Sequence, residues 1–399
     1  MAQRQQGGTR NRLVAGCVLL AVASLPDAMV VPVLHALSVE RFGVGEGAAH
    51  AFMAVNLLGA VGMVLLLAIL KRRSPPSQLL PIAAVASMIL LALMSVAPSW
   101  PALLALRCIE GGADLILLAI PLRMISLAGG ESKYGARMGV AFTVLMVALA
   151  CGAMLGAIIG NASAGNVLLA GAVTSGVLFV LACWLRRFVR ATPNSPEDDP
   201  KRCPLVPSEW FGALMLAMDR GLAAMVSVTL PILLASGLDV GPATLGIALG
   251  GMFMALAVFA IPVGRLADVI GGRRVRIAAA GVCSAGIAGL GFLAWFPAIV
   301  VLPPCLLVYG AGAAGLMPSA FAASVRQDAS TLVFSSLQAA GQLGYAAGIG
   351  LGAAAIAATA LPPQEMLPRI FPVAAIVFLA ANLATVAGLR AISRRVGTT

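Results

Sequence analysis

Apolar residues run along this chain in stretches the length of a bilayer, each closed by a short punctuation of Gly, Pro or charge. The stretches lie near 13–35, 47–70, 78–98, 101–125, 138–160 and 165–185, then near 209–236, 242–263, 276–296, 298–322, 331–360 and 370–390. A helix needs roughly 20 apolar residues to cross hydrocarbon, so each stretch predicts one crossing. The first starts behind Arg4, Arg10 and Arg12 and outruns a signal-peptide core, which predicts a retained crossing. The pattern is six crossings, a break and six more. The break begins with Arg186, Arg187 and Arg190 and continues as ATPNSPEDDPKRCP, the one markedly polar, Pro-rich stretch. It reads as a hydrated linker over 186–208, between a six-helix bundle over 1–185 and another over 209–399.

Composition sharpens this reading. With 60% hydrophobic and 10% charged residues, a soluble globule would have nowhere to put its apolar surface. The expected fold class is an all-α membrane protein of twelve transmembrane helices in two pseudo-symmetric six-helix bundles. A net charge of +11 would suggest nucleic acid in a soluble protein, but the positions decide otherwise. With the N-terminus inside, 22 of the 26 basic residues fall on one side, Arg276 counted among them. Arg41 and Arg369 fall opposite, and Arg107 and Arg220 lie within crossings. The excess places both termini in the cytoplasm of a cell whose inner (plasma) membrane the chain spans, and nucleic acid drops out as a partner. The seven cysteines are scattered without a CxxC pair and read as small packing residues rather than metal ligands.

The two halves repeat weakly: VVPVLHALSVERFGVG closes the first crossing and TLPILLASGLDVGPA the seventh. After the eighth crossing comes a loop reading Gly264-Arg-Leu-Ala-Asp268-Val-Ile-Gly271-Gly272-Arg273-Arg274. Its glycines suit a tight reversal, and the Asp268 carboxylate suits the positive N-terminus of a neighbouring helix, the eleventh crossing near Ser330 being the expected partner. This string closely resembles the GxLaDrxGrR signature of the major facilitator superfamily, in its usual place. The equivalent position in the first half, LKRRSPPSQ, keeps the charge without the glycines or the aspartate. Arg107-Cys-Ile-Glu110-Gly111-Gly112 matches in part the family's fourth-crossing RxxqGxg. Gly152, Gly156 and Gly160, followed by Asn161, match in part the fifth-crossing antiporter pattern GxxxGPxxGG, without its proline and last glycine. The resemblance implies a secondary transporter working by alternating access, with an antiporter or efflux leaning. It implies gating roles for Gly264, Asp268, Gly271, Gly272, Arg273, Arg274 and the glycines at 152, 156 and 160. Those three also read as close helix packing, as do Gly341, Gly344, Gly348 and Gly352.

Charges within crossings are Asp27, Arg107, Glu110, Asp114, Asp219 and Arg220. Each would cost at least about 2.5 kcal/mol if left unpaired toward lipid, so each is expected to face a partner or a cavity as a substrate- or proton-binding residue. Counting about 1.5 Å per residue from the helix ends puts Asp27 level with Arg107, and Asp114 level with Asp219 and Arg220. Arg107, Glu110 and Asp114 share one helix face. The resemblance places the first, fourth, seventh and tenth crossings around a central cavity. Four acids against two arginines leave carboxylates to carry protons. The first and fourth crossings lack aromatic residues, which favours a small polar or carboxylate-bearing solute over a flat drug, for example an exported hydroxycarboxylate siderophore. His35 and His50 read as solvated residues near the outer surface. The function expected is proton-coupled export by a monomer with solute, protons and lipid as partners and no cofactor or metal. An importer or uniporter of the same fold is the alternative, and from other classes a transport-inactive sensor or an intramembrane enzyme. Two isolated histidines, with no HxxxD, DxD or HExxH string, argue against an enzyme, and the absence of a GxxxxGK[ST] loop argues against an ATP-driven pump.

Overall fold

The computed structural model describes the backbone of residues 2–69, 76–126, 128, 134–190, 207–324, 331–359 and 361–396. Within these, side chains are described except at 2–9, 64–69, 76, 126, 134–138, 190, 207–209, 268, 318, 321–324, 331–339 and 392–396. The first half holds α1 (Ala2–Val30), α2 (Glu46–Ala49), α3 (Ala51–Ile69), α4 (Pro76–Ser95), α5 (Trp100–Ser126), α6 (Tyr134–Gly160), α7 (Ala164–Trp184) and α8 (Arg186–Arg190). The second holds α9 (Pro207–Ala224), α10 (Leu230–Leu238), α11 (Pro242–Ile270), α12 (Gly272–Gly289), α13 (Ala298–Ser324), α14 (Thr331–Ala358) and α15 (Pro363–Val396). Ten spans among the described residues are long and apolar enough to cross a membrane. The 19-residue α3 and the 27-residue α5, which carries Arg107, Glu110 and Asp114, complete the expected twelve.

Packing divides the chain into two compact units, residues 1–193 with 241–250 and residues 194–240 with 251–399. In the first, α6 lies against α1 through its glycines. A Cβ on Gly152 would stand 2.7 Å from Ala28 Cβ, and on Gly156 or Gly160 it would run into the Met29 carbonyl or the Val33 side chain. The α3–α5 contact is equally close, Gly59 meeting the Cys108 carbonyl and Gly111 meeting Asn56. The short α8 is pinned by buried Val189 in the same apolar core as Leu185 and Leu178. In the second unit α14 packs on α9 through Gly344 against the Ala217 carbonyl and Gly348 against Gly221. First with fifth and seventh with eleventh crossing thus use the same device, small residues that let helix backbones touch where lipid provides no hydrophobic drive.

Both first and seventh crossings also break their regular winding in their second half. In the first, α1 passes into a 3-10 turn at Val31–Val33 and a π turn at Ala36–Glu40. In the seventh, a π turn at Met225–Thr229 links α9 to α10, with Pro231 just beyond it. Proline lacks an N–H and its ring crowds the preceding turn, and a widened turn absorbs both effects.

The signature string is mostly helix and not the loop expected. Gly264 to Ile270 form the last turns of α11, and only Gly271 leaves the helix before α12 begins at Gly272. Gly271 has φ +92°, a backbone conformation open to glycine and strained for other residues, so a single residue makes the reversal. The helix continues past the apolar run because Arg265, Leu266 and Ala267 are sound helix formers. Gly272 is buried, Arg273 is half-buried and Arg274 exposed. The Asp268 side chain, Arg326, Asp328, Ser330 and the LKRRSPPSQ segment up to Pro76 lie outside the described residues.

Gly348 and Gly350 provide a matched test, two residues apart on one helix. Gly348 faces the Gly221 carbonyl, whereas a Cβ on Gly350 would meet nothing within 4 Å. Gly348→Leu should forfeit most folded, monodisperse protein in detergent, and Gly350→Leu should melt within about 0.5 kcal/mol of the parent. Equal behaviour of the two would remove the close-packing account.

Candidate functional site

Four of the six predicted charged residues converge in the first unit. Arg107, 1% exposed, donates through Nη2 to Asp27 Oδ1 at 2.7 Å and through Nη1 to Glu110 Oε2 at 2.5 Å. The Asp27–Arg107 pairing follows the shared depth read from the sequence. The i,i+3 spacing on α5 brings Glu110 back to its own arginine. Ser87 of α4 donates to the other Glu110 oxygen at 3.0 Å and sits 3.3 Å from Ser175 of α7. Phe52 of α3 lies under the guanidinium, its ring centroid 5.0 Å from Cζ, a cation–π contact strengthened by desolvation. Asp114, one turn beyond Glu110 on the same helix, is an electrostatic neighbour of Asp27, Glu110 and Arg107. Asp27 is the open member, its side chain 27% exposed against 3% for Glu110. The Arg107 Nε has no hydrogen-bond partner among the described residues.

The second unit treats its charges differently. Asp219 and Arg220 are neighbours on α9 and point about 100° apart. Both Asp219 oxygens are taken by Arg276 of α12, at 2.6 and 2.7 Å. Arg276 also donates to Asn382 Oδ1 on α15 at 2.7 Å, to the Leu316 carbonyl on α13 at 2.9 Å and to the Met215 carbonyl on α9 at 3.3 Å. All five guanidinium protons are therefore used, and one fully buried side chain ties four helices together. This corrects the count that placed Arg276 among cytoplasmic basic residues. It sits in the first turns of α12, and its long side chain reaches inward to Asp219 instead of outward to water.

Within the second unit, Arg220 has no carboxylate within ion-pair distance among the described residues. Its electrostatic neighbours are Tyr345 of α14, Asp219 and Tyr309 of α13. Tyr345 shares a hydrogen bond of 2.9 Å with Ser227. The expected pairing of Arg220 with Asp114 would join the two units and lies outside what each shows by itself. His35 pairs with Glu40 at 3.2 Å. His50 is not the solvated residue expected: it is 1% exposed, its Nδ1 3.0 Å from the Glu46 carbonyl. The helical turn through Glu46–Ala49 folds the ring inward.

Sequence reasoning missed Arg276, Asn382, Ser87, Ser175, Phe52 and Tyr345. Arg276 carried a signal, since Ile277 to Ala280 already form an apolar run after it. The serines carried none, because hydroxyls are common in apolar helices and most bond only their own helix.

The superfamily resemblance is upheld by comparison. The chain belongs to the Major Facilitator Superfamily, whose sequence model matches residues 16–216, just over half of its 399 residues. Its fold is that of a proton dependent oligopeptide transporter (TM-score 0.70, 12% identity, 97% of this chain and 99% of that one). The nucleoside transporter NupG also shares it (TM-score 0.64, 14% identity, 96% and 98% of the two chains). So does the human organic anion transporter MFSD10 (TM-score 0.63, 16% identity, 94% and 99%). No curated protein sequence matches the chain. The protein is a multi-pass membrane transporter of this superfamily.

The Arg276 knot yields a stability prediction. Arg276→Ala should lower thermal stability in detergent by about 3–5 kcal/mol, because it strands a buried Asp219. Adding Asp219→Leu should restore much of the loss. A double variant no better than the single would mean that the ion pair is not what the site contributes.

Proposed function

We propose that the protein is a proton-coupled exporter of a small polar or carboxylate-bearing metabolite. On this reading it acts as a monomer by alternating access in the inner (plasma) membrane, with both termini in the cytoplasm and two six-helix bundles joined by the linker 186–208. The observation that carries the reading is the gathering of three acids, Asp27, Glu110 and Asp114, about the single guanidinium of Arg107. Three carboxyl groups about one guanidinium repel one another when all are bare, and a proton on one of them relieves that repulsion. Glu110 is committed to Arg107 and Ser87, and Asp219 to Arg276, which leaves Asp27 and Asp114 as the carriers of the transported proton on this reading. Asp27 is partly exposed and adjoins Arg107.

The solute class rests on charge and on the scarcity of aromatic residues, 5% of the chain. The neighbours named above carry peptides, nucleosides and organic anions, and their spread is compatible with a polar cargo. An importer of the same fold is the second reading. It is favoured by the uninterrupted course of α6 through Ala157, where the antiporter pattern has proline. The sign of pH-gradient-driven flux in inverted vesicles separates the two.

Asp27→Asn and Asp114→Asn in proteoliposomes should each reduce gradient-driven flux to near background while solute counterflow persists. Driven flux preserved in both variants would take the proton away from this pair. Asp268→Asn should slow transport with insertion and yield unchanged, as expected for a carboxylate that the signature uses for gating. Wild-type flux in that variant would end the gating assignment.

A further inference from the structure

We infer that Ser87, backed by Ser175, is a positioning residue that fixes Glu110 as the permanent counter-ion of Arg107 and thereby confines the transported proton to Asp27 and Asp114. The inference rests on the proton-coupled reading proposed above and names what decides between the acids of the first unit.

Glu110 is 2% exposed, and each of its carboxyl oxygens has its own donor. Oε2 accepts from Arg107 Nη1 at 2.5 Å, and Oε1 accepts from the Ser87 hydroxyl of α4 at 3.0 Å. The charged groups about it are Arg107 and Asp114 on its own helix and Asp27 on α1. The helices α3, α4 and α7 contain no charged residue, and α6 has only Arg137 near its start. What α4 and α7 bring to this carboxyl group is hydroxyl.

The sense of the hydroxyl bonds follows from counting protons. An ionised carboxylate only accepts, and a serine hydroxyl has one proton to give. With that proton on Glu110, Ser87 has only lone pairs left for Ser175, 3.3 Å away, so the proton of that contact comes from Ser175. The bonds run in one sense across three helices, from α7 through α4 to α5, and each polarises the next. Both serines are 1% exposed, so the protein itself supplies both bonds. Packing sets their register: Leu91 and Met88 of α4 lie 3.4 Å and 3.3 Å from where a Cβ on Gly171 and on Gly176 of α7 would stand. A local alternative exists for any serine in a helix, and Ser24 and Ser38 take it by donating to the carbonyl four residues earlier. Ser87 gives its proton to another helix instead. Donors aimed at the charged form of a carboxyl group favour that form, and Glu110 has two of them while Asp27 stays partly exposed.

The test is infrared difference spectroscopy of the full-length protein in detergent, each protein compared with the same protein carrying Glu110→Gln, so that the difference reports Glu110. Wild type should show a carboxylate throughout the physiological pH range. Ser87→Ala should show a protonated-carboxyl band within that range, Ser175→Ala a weaker one, and Ser87→Thr, which restores the hydroxyl, none. Should Ser87→Ala yield too little folded protein, Ser87→Cys, whose thiol is a weak donor, should show the band at intermediate strength. In proteoliposomes Ser87→Ala should move the pH profile of driven flux by roughly one unit, and Ser87→Thr should restore it. The inference is overturned if wild-type Glu110 takes up a proton within the range, if Ser87→Ala and Ser87→Cys both leave it a carboxylate, or if the flux profile of Ser87→Ala matches wild type. The spectra need no transport, so their failure is separate from driven flux surviving in Asp27→Asn and Asp114→Asn, which would remove the proton reading itself.

Discussion

Hydrocarbon offers no hydrogen bonds, and from that one constraint most of this structure follows. Backbone groups must be satisfied within each crossing, which dictates helices. Side-chain hydroxyls obey the same rule locally: Ser24, Ser38, Thr174 and Thr385 each donate to the carbonyl four residues earlier, at 2.5 to 2.9 Å. A serine in an apolar run thus satisfies itself without a partner helix. Charges have no such local remedy, so each one inside a crossing forces a tertiary arrangement around it.

Arg107 and Arg276 show two outcomes of that pressure. Arg276 is saturated, with five donors directed to four acceptor groups on three other helices. Moving any of these helices would break bonds that no solvent can replace, so the arrangement acts as a rigid joint within the second unit. Arg107 has two carboxylates, an aromatic face and an unpartnered Nε. Its Asp27 partner is partly exposed and has Asp114 as an electrostatic neighbour. An incompletely satisfied network of this kind has alternatives close in energy, which suits a group that changes protonation during a cycle.

Much of the fold was legible because the membrane filter is strict. Twelve apolar runs with basic punctuation leave few other architectures, and the glycines at 152, 156 and 160 proved to be close helix contacts as packing considerations implied. The Asp27–Arg107 contact was legible from depth alone, since two charges at one level inside hydrocarbon seek each other. Arg276 was not, because a basic residue at a helix start has two physical options, reaching out to water or back into the bundle. Arithmetic on helix ends does not distinguish them; what decides is whether a carboxylate lies within the reach of a long side chain, as Asp219 does. His50 failed likewise: proximity to a helix end suggested water, but the turn at Glu46–Ala49 folds the imidazole under the chain. The signature string misled about local structure for a simpler reason. Its polar residues marked the end of the apolar run, but a helix ends where its hydrogen bonding ends, and only Gly271 has the backbone freedom to end it.

The two units differ in charge, and the difference fits a division of labour in the proposed cycle. The first unit gathers three acids about one arginine, an arrangement short of positive charge that a proton can relieve. The second unit commits both oxygens of Asp219 to Arg276. In the proposed cycle a proton thus answers a deficit in the first unit without displacing the Asp219–Arg276 pair of the second. That matters energetically, because breaking a buried pair to make room for a ligand costs several kcal/mol before any affinity appears. The functional distinction therefore lies less in which charged residues the helices carry than in which of them the fold leaves unmatched.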